Sequence, residues 1–173
     1  QQSKMVDNKM REVKIEKVVL NIGTTGDTEK MKKGVALLSA ISGKKVVETH
    51  AKTRIAVFKI RKGLPLGSKV TLRGKDAEAL LLRLLSAVDN KVKKRSFTEN
   101  GFSFGVPEYI DIPEVKYDPK IGIIGLDVSV SLMRAGYRIK YRRILKRRIH
   151  KAHTVSKDDA IKFAQDKFKV VIE

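Results

Sequence analysis

The sequence predicts an α+β fold in two layers, an antiparallel or mixed β-sheet with helices packed on one face and the other face left open. Two segments, "VKIEKVVLNIG" (13–23) and "LDVSVSLM" (126–133), alternate apolar and polar residues with period two, so each is a strand with one buried face. Three others space their apolar residues three to four apart, the pattern of an amphipathic helix. The order of segments is strand, helix, several strands, helix, long loop, strand, helix, and one layer of helices over one sheet accommodates it most economically.

In the first strand Val18, Leu20 and Ile22 point one way, and Lys17, Val19 and Asn21 the other. "EKMKKGVALLSAISG" then places Met31, Val35, Leu38 and Ile41 on one helical stripe, with Thr28 as N-cap and Gly43 at the end. A short strand is expected at 45–50, and two more within "AKTRIAVFKIRKGLPLGSKVTLRG" (51–74), flanking a hairpin tip at Leu64-Pro65-Leu66. Residues 75–90 form a second helix with a wide apolar set, Leu80, Leu81, Leu84, Leu85 and Val88. The glycine- and proline-containing stretch 96–125 reads as an ordered functional loop. In "LDVSVSLM", Leu126, Val128, Val130 and Leu132 face in, while Asp127, Ser129 and Ser131 face out. A last helix over 156–168 starts at Ser156 with Asp159 three residues on, a capping-box pattern, and buries Ile161, Ala164 and Phe168. The chain thus divides into an N-terminal extension (1–12) and one domain (13–173), which includes a basic segment at 134–157.

Charge says more about function than the elements do. Charged residues are 33% of the chain, above the ordinary level of roughly 25%. There are 38 Lys and Arg against 19 Asp and Glu, a net charge of +19. Such a surface repels itself until something anionic neutralises it, and nucleic acid is the leading class of partner, an anionic membrane surface the next. No apolar run reaches the ~18 residues that span a bilayer, the first residues lack a secretory pattern, and there is no cysteine. A cytosolic protein without disulfides or thiolate metal sites fits this. Low Cys with abundant Lys and Glu also suits heat adaptation, and RNA binding raises Lys and Arg as well.

The cations are concentrated. No acid lies between Glu48 and Asp76, and none between Asp127 and Asp158. The outward residues Lys17, Asn21, Lys69, Thr71 and Arg73, with Ser129 and Ser131, make a sheet face suited to phosphate and sugar rather than to base stacking. Against this stands an ordinary solvated face, which usually mixes its signs. The segment 134–157 carries ten Lys or Arg with Tyr137 and Tyr141 among them, and is expected to order against phosphates. Its candidate contacts are Arg134, Arg138, Lys140, Arg142, Arg143, Lys146, Arg147, Arg148 and Lys151.

Catalytic readings find little support. His150 and His153 form H-x-x-H, but no Cys or nearby carboxylate completes a zinc set and the surrounding cations disfavour a metal, so the histidines belong to an RNA-facing arm. Glu108, Asp111 and Glu114 lie in a loop without fixed period, where carboxylates form turns or stay exposed. "GFSFG" lacks the spacing of a phosphate-cradling loop. No nucleophile–base pair is evident, and no enzyme, cofactor or small-molecule substrate is expected.

"IEKVVLNIG", "AKTRIAVFKIRKGLPLGSKVTLRG" and "GFSFGVPEYIDIPEVKYDPKIGIIGLDVSV" together resemble large-subunit ribosomal protein five, the universal 5S-rRNA-binding family, over about residues 10–168. "YDPKIGIIGLD" and the basic tail before "SKDDA" look like its archaeal and eukaryotic branch. The resemblance implies a cytoplasmic, non-catalytic protein of the central protuberance whose open sheet grips 5S rRNA through Lys17, Asn21, Lys52, Thr53, Lys69, Thr71 and Arg73. It implies further contacts with the large-subunit rRNA, a small-subunit head protein, neighbouring 5S-associated ribosomal proteins, and P-site tRNA. The tRNA contact would come from the loop Arg61, Lys62, Gly63, Leu64, Pro65, Leu66 and Gly67. The rival readings are a basic nucleic-acid binder outside the ribosome, a membrane-surface binder, and an RNA-modifying enzyme.

Overall fold

A computed structural model describes residues 8–24 and 26–173; residues 1–7 of the N-terminal extension lie outside the described residues. The long strand β1 (Val13–Gly23) runs through the middle of a six-stranded sheet. On one side it pairs with β3 (Pro65–Leu72), which pairs with the edge strand β2 (Val47–His50). On the other side it pairs with β7 (Leu126–Arg134), then come β6 (Gly101–Val106) and β5 (Phe97–Thr98). Every neighbouring pair in this sheet is antiparallel. Separately, β4 (Lys91–Val92) pairs in parallel with β8 (Val171–Ile172).

The expected two-layer arrangement is present. Val18, Leu20, Ile22, Val70, Leu72, Val128, Val130 and Leu132 line the inner face and share one core with the helices. Helix α1 (Thr28–Ser42) contributes Leu37, Leu38 and Ile41 to it, and α2 (Lys75–Ser86) contributes Leu80, Leu81, Leu84 and Leu85. Helix α4 (Lys157–Phe168) adds Ala160, Ala164 and Phe168. A short helix α3 (Arg138–Tyr141) sits in the basic segment. Each fully buried Leu or Phe side chain contributes roughly 1.5–3 kcal/mol, so the helix layer is held mainly by this face.

Several local expectations are corrected by the structure. The N-cap of α1 is Asp27 rather than Thr28: its Oδ1 accepts the Glu29 N–H at 3.0 Å and the Lys30 N–H at 3.3 Å, leaving Thr28 as the first helical residue. Val35 is only half-buried, because the stripe of α1 runs through Gly34 and Leu37. Gly34 brings α1 against β3, where a Cβ would stand 3.1 Å from the Ser68 hydroxyl. Helix α2 ends at Ser86, and Asp89 and Asn90 turn the chain with φ of 51° and 57°. "GFSFGV" is the strand β6 rather than loop, its alternation hidden by glycines. Gly101 is required there, since a Cβ would overlap the Val130 carbonyl on β7.

The largest correction concerns 51–74. Only one strand forms there, β3, and it begins at Pro65. Leu64, Pro65 and Leu66 are half-buried at its start, with Leu64 packed against Gly26 and the Leu66 carbonyl accepting the Thr24 N–H at 2.8 Å. They are not a tip. The chain between β2 and β3 is a loop, 51–64, narrowed by a bridge between Ile55 and Ile60 and turning at Lys59, φ 56°. Its exposed apolar end is Val57 and Phe58, 86% and 65% exposed. Of the apolar residues of "RIAVFKI" Ile60 alone is buried, and with no further strand beside Val57 and Phe58 the pairing stops at the single Ile55–Ile60 bridge.

Candidate nucleic-acid interface

The open face is laid out by strand register. One row across it reads Val47, Lys69, Asn21, Asp127 and Gly105, from β2 to β6. The next reads Thr71, Val19, Ser129 and Ser103. A third brings Lys17 beside Ser131 and Gly101. Small or polar side chains dominate, and Lys69, Thr71, Ser129 and Ser103 are exposed. Arg73 is exposed one residue beyond the end of β3.

Lys17 stands on this face by the alternation of β1, and a bulge just before it reverses the side of Ile15. Ile15 is buried opposite Leu132, yet Lys17, two residues on, is the partner of the outward Ser131; a regular strand would put Ile15 and Lys17 on the same side. The register shift at Glu16 absorbs the extra residue and changes the face. Glu16 meets the basic segment there: the Tyr141 hydroxyl donates to its Oε2 at 3.4 Å. Burial, the Glu16 charge and that hydrogen bond all push the Tyr141 phenol above its ordinary value of 10.0, so it stays a neutral donor.

The basic segment turns back on itself beside the sheet. Tyr137 is buried, and its hydroxyl accepts the Val155 N–H at 2.9 Å and lies 3.2 Å from Asn100 Oδ1, tying both ends of the segment to the β5–β6 turn. The Arg147 N–H donates to the Ile139 carbonyl at 3.2 Å, and Arg142 Nε to the Leu145 carbonyl at 2.9 Å. This leaves Arg138, Lys140, Arg142, Arg143, Lys146, Arg147, Arg148 and Lys151 exposed and without a carboxylate partner among the described residues.

Arg134 differs from these. Its guanidinium bonds Asp159 Oδ2 at 2.8 Å and is 11% exposed, so it ties β7 to α4. Burial pushes the Asp159 carboxyl up, but the Ser156 hydrogen bonds and the charges of Arg134 and Lys162 outweigh it and hold the group below its usual 3.8. His153 is likewise internal in role: its ring meets Tyr137 edge-on at 6.1 Å, and Nε2 lies 2.8 Å from the Ala135 carbonyl. Among the described residues no cluster of His, Asp or Glu could hold a metal.

The two acid-free stretches share the sheet face through β1, with Thr71 of one and Ser129 of the other on either side of Val19. Where the basic segment meets the sheet, a groove of about 440 Å³ is lined by Lys17, Ser103, Ser129 and Ser131 from the sheet and by Lys140 and Tyr141 from the segment, with the acidic residues Glu16 and Glu99 also at its wall. Lys52 and Thr53 stand apart, exposed in the loop after β2. So do Arg61, Lys62 and Gly63 at its far end, while Leu64 to Gly67 lead into and form the start of β3. Sequence reasoning missed Ser103, although its place between Phe102 and Phe104 was a signal. It also missed Val57 and Phe58, whose only signal was apolarity inside a basic run.

Comparison with known proteins gave consistent matches. A family model described as "Ribosomal protein L5" matches residues 8–61, and a second model, for the C-terminal part of the same ribosomal family, matches residues 65–163. The boundary falls in the loop before β3, and the sheet takes strands from both sides of it. A large ribosomal subunit protein uL5 from Nanoarchaeum equitans is 48% identical over 168 residues, covering 96% of this chain and 99% of the relative. That of Sulfurisphaera tokodaii is 47% identical, with 95% and 94% covered. That of Methanococcoides burtonii is 41% identical, with 97% and 100% covered.

Proposed function

The chain belongs to the ribosomal protein L5 family, a structural and non-enzymatic family of the large ribosomal subunit, and on that premise we propose that it clamps 5S rRNA in the central protuberance. The open sheet face takes the 5S rRNA, and the basic segment reaches the adjoining large-subunit rRNA. One observation carries this reading: the acid-free stretches 49–75 and 128–157, far apart in the chain, share one open sheet face, where Thr71 and Ser129 flank Val19 and Lys69 stands one row away beside Asn21. Phosphate neutralisation supplies the affinity, and RNA shape and 2′-hydroxyls supply the selectivity. The loop 51–64 projects from the same sheet and is the part offered to P-site tRNA, with Val57 and Phe58 at its end.

The test is filter binding of 5S rRNA to the full chain. Lys69→Ala and Arg73→Ala should each weaken binding with the melting temperature unchanged, because both side chains are exposed and neither has a carboxylate partner among the described residues. Each lost phosphate contact should flatten the log–log salt dependence by roughly 0.7–0.9. Unchanged affinity in both variants would remove the sheet face from the interface. Equal affinity for duplex DNA or anionic vesicles would favour a general polyanion binder.

A further inference from the structure

We propose that the cavity between the basic segment and the β5–β6 turn receives the base of one unpaired nucleotide carried by the bound RNA. This rests on the reading of the adjoining surface as an RNA interface. The cavity holds about 500 Å³, within the usual range of small-molecule sites, about 300–1,000 Å³. Lys140, Lys146, Arg147 and Arg148 stand around it, and none has a carboxylate partner among the described residues. Four cations about one hollow repel one another unless an anion sits among them.

A phosphate by itself does not suit the hollow. Its lining includes Tyr137 and Ile149, residues whose apolar surface a phosphate would leave unused. Asn100 accepts the Tyr137 hydroxyl through Oδ1, which leaves its amide N–H₂ without a partner among the described residues and free to donate to a base carbonyl. Cationic rim, apolar wall and a single amide donor together match a nucleotide: phosphate outside, base inside. The position fits a strand in transit, because the groove on the sheet shares Asn100, Tyr137 and Lys140 with this cavity. A backbone lying along Lys17 and Ser131 arrives at its mouth.

The experiment compares three probes on the full chain at one salt concentration: an RNA hairpin with a single bulged 2-aminopurine, the same hairpin fully paired, and adenosine 5′-monophosphate. The bulged hairpin should bind about tenfold tighter than the paired one, with a fluorescence change on binding, and the mononucleotide far more weakly than either. Ile149→Trp, which fills the hollow without changing charge, should abolish that preference while leaving the paired hairpin's affinity unchanged. Ile149→Phe is the milder variant should the first melt early. Equal affinity for bulged and paired hairpins, or a preference that survives both fillings, overturns the proposal and leaves the RNA interface standing. Mononucleotide binding as tight as the bulged hairpin's would make the hollow a free-nucleotide site and overturn it too. Failure of both hairpins to bind would sink the interface itself.

Discussion

Asp159, the third residue of α4, binds in two directions. It accepts the Ser156 N–H at 3.1 Å and the Ser156 hydroxyl at 2.8 Å, while the Ser156 Oγ accepts the Asp159 N–H at 3.2 Å. This capping box was legible in "SKDD", since its spacing is local. The Arg134 partner was not, because it comes from β7, 25 residues away. Asp159→Ala should cost about 1–2 kcal/mol in urea unfolding, through the lost cap and a largely buried guanidinium left without its carboxylate. The depressed carboxyl sets a pH dependence as well. Its folded-state value lies below the unfolded one, so its stabilisation is complete above about pH 4 and fades as pH falls through the folded value. The wild type should therefore lose stability more steeply than Asp159→Ala below that pH; parallel acid titrations of the two would disprove the coupling.

Among the elements, the loop 51–64 departs furthest from expectation. Its two arms carry Lys52, Arg54, Lys59, Arg61 and Lys62, and its end presents Val57 and Phe58 to solvent. Apolar side chains left exposed on a projecting loop mark a contact surface, and the proposed partner, a tRNA that arrives and leaves, suits an apolar contact. Val57→Ser combined with Phe58→Ser should leave the melting temperature and 5S rRNA affinity unchanged, since neither side chain is in the core or on the sheet. Crosslinking of the loop to P-site tRNA in assembled ribosomes should fall. Loss of 5S rRNA binding in that variant would mean that loop and sheet had been assigned the wrong partners. Pro65, expected at the hairpin tip, instead starts β3, where it opposes His50 on the edge strand β2.

For the molecule as a whole, net charge dominates the electrostatics. A charge of +19 on a folded domain stores repulsion that salt screens and polyanions neutralise. Raising salt from about 0.05 M to 0.3 M should therefore raise the melting temperature, by about 2–4 °C for each kcal/mol of repulsion removed in a chain of this size. A melting temperature that fell with salt would show that ion pairs outweigh the repulsion. The ion pairs present do not point that way: apart from those of Arg134 and Arg83, both partners are substantially exposed, and such pairs are worth little.

The sequence by itself determined the two clean strands, the three long helices, the capping box and the excess of cations. Each of these depends on residues within one or two turns, or on composition. Which cations are free, and where they stand, was decided only in three dimensions. Alternation already put Lys17 on the open face, but the bulge at Glu16 that lets Ile15 turn inward beside it needs the register that β7 supplies. Arg134 is withdrawn from the surface by a carboxylate that folding brings to it. The end of the basic loop falls at Val57 and Phe58 because strand pairing stops at His50 and resumes at Pro65. Alternation is a property of one segment, whereas pairing needs a second, and that second segment lies elsewhere in the chain.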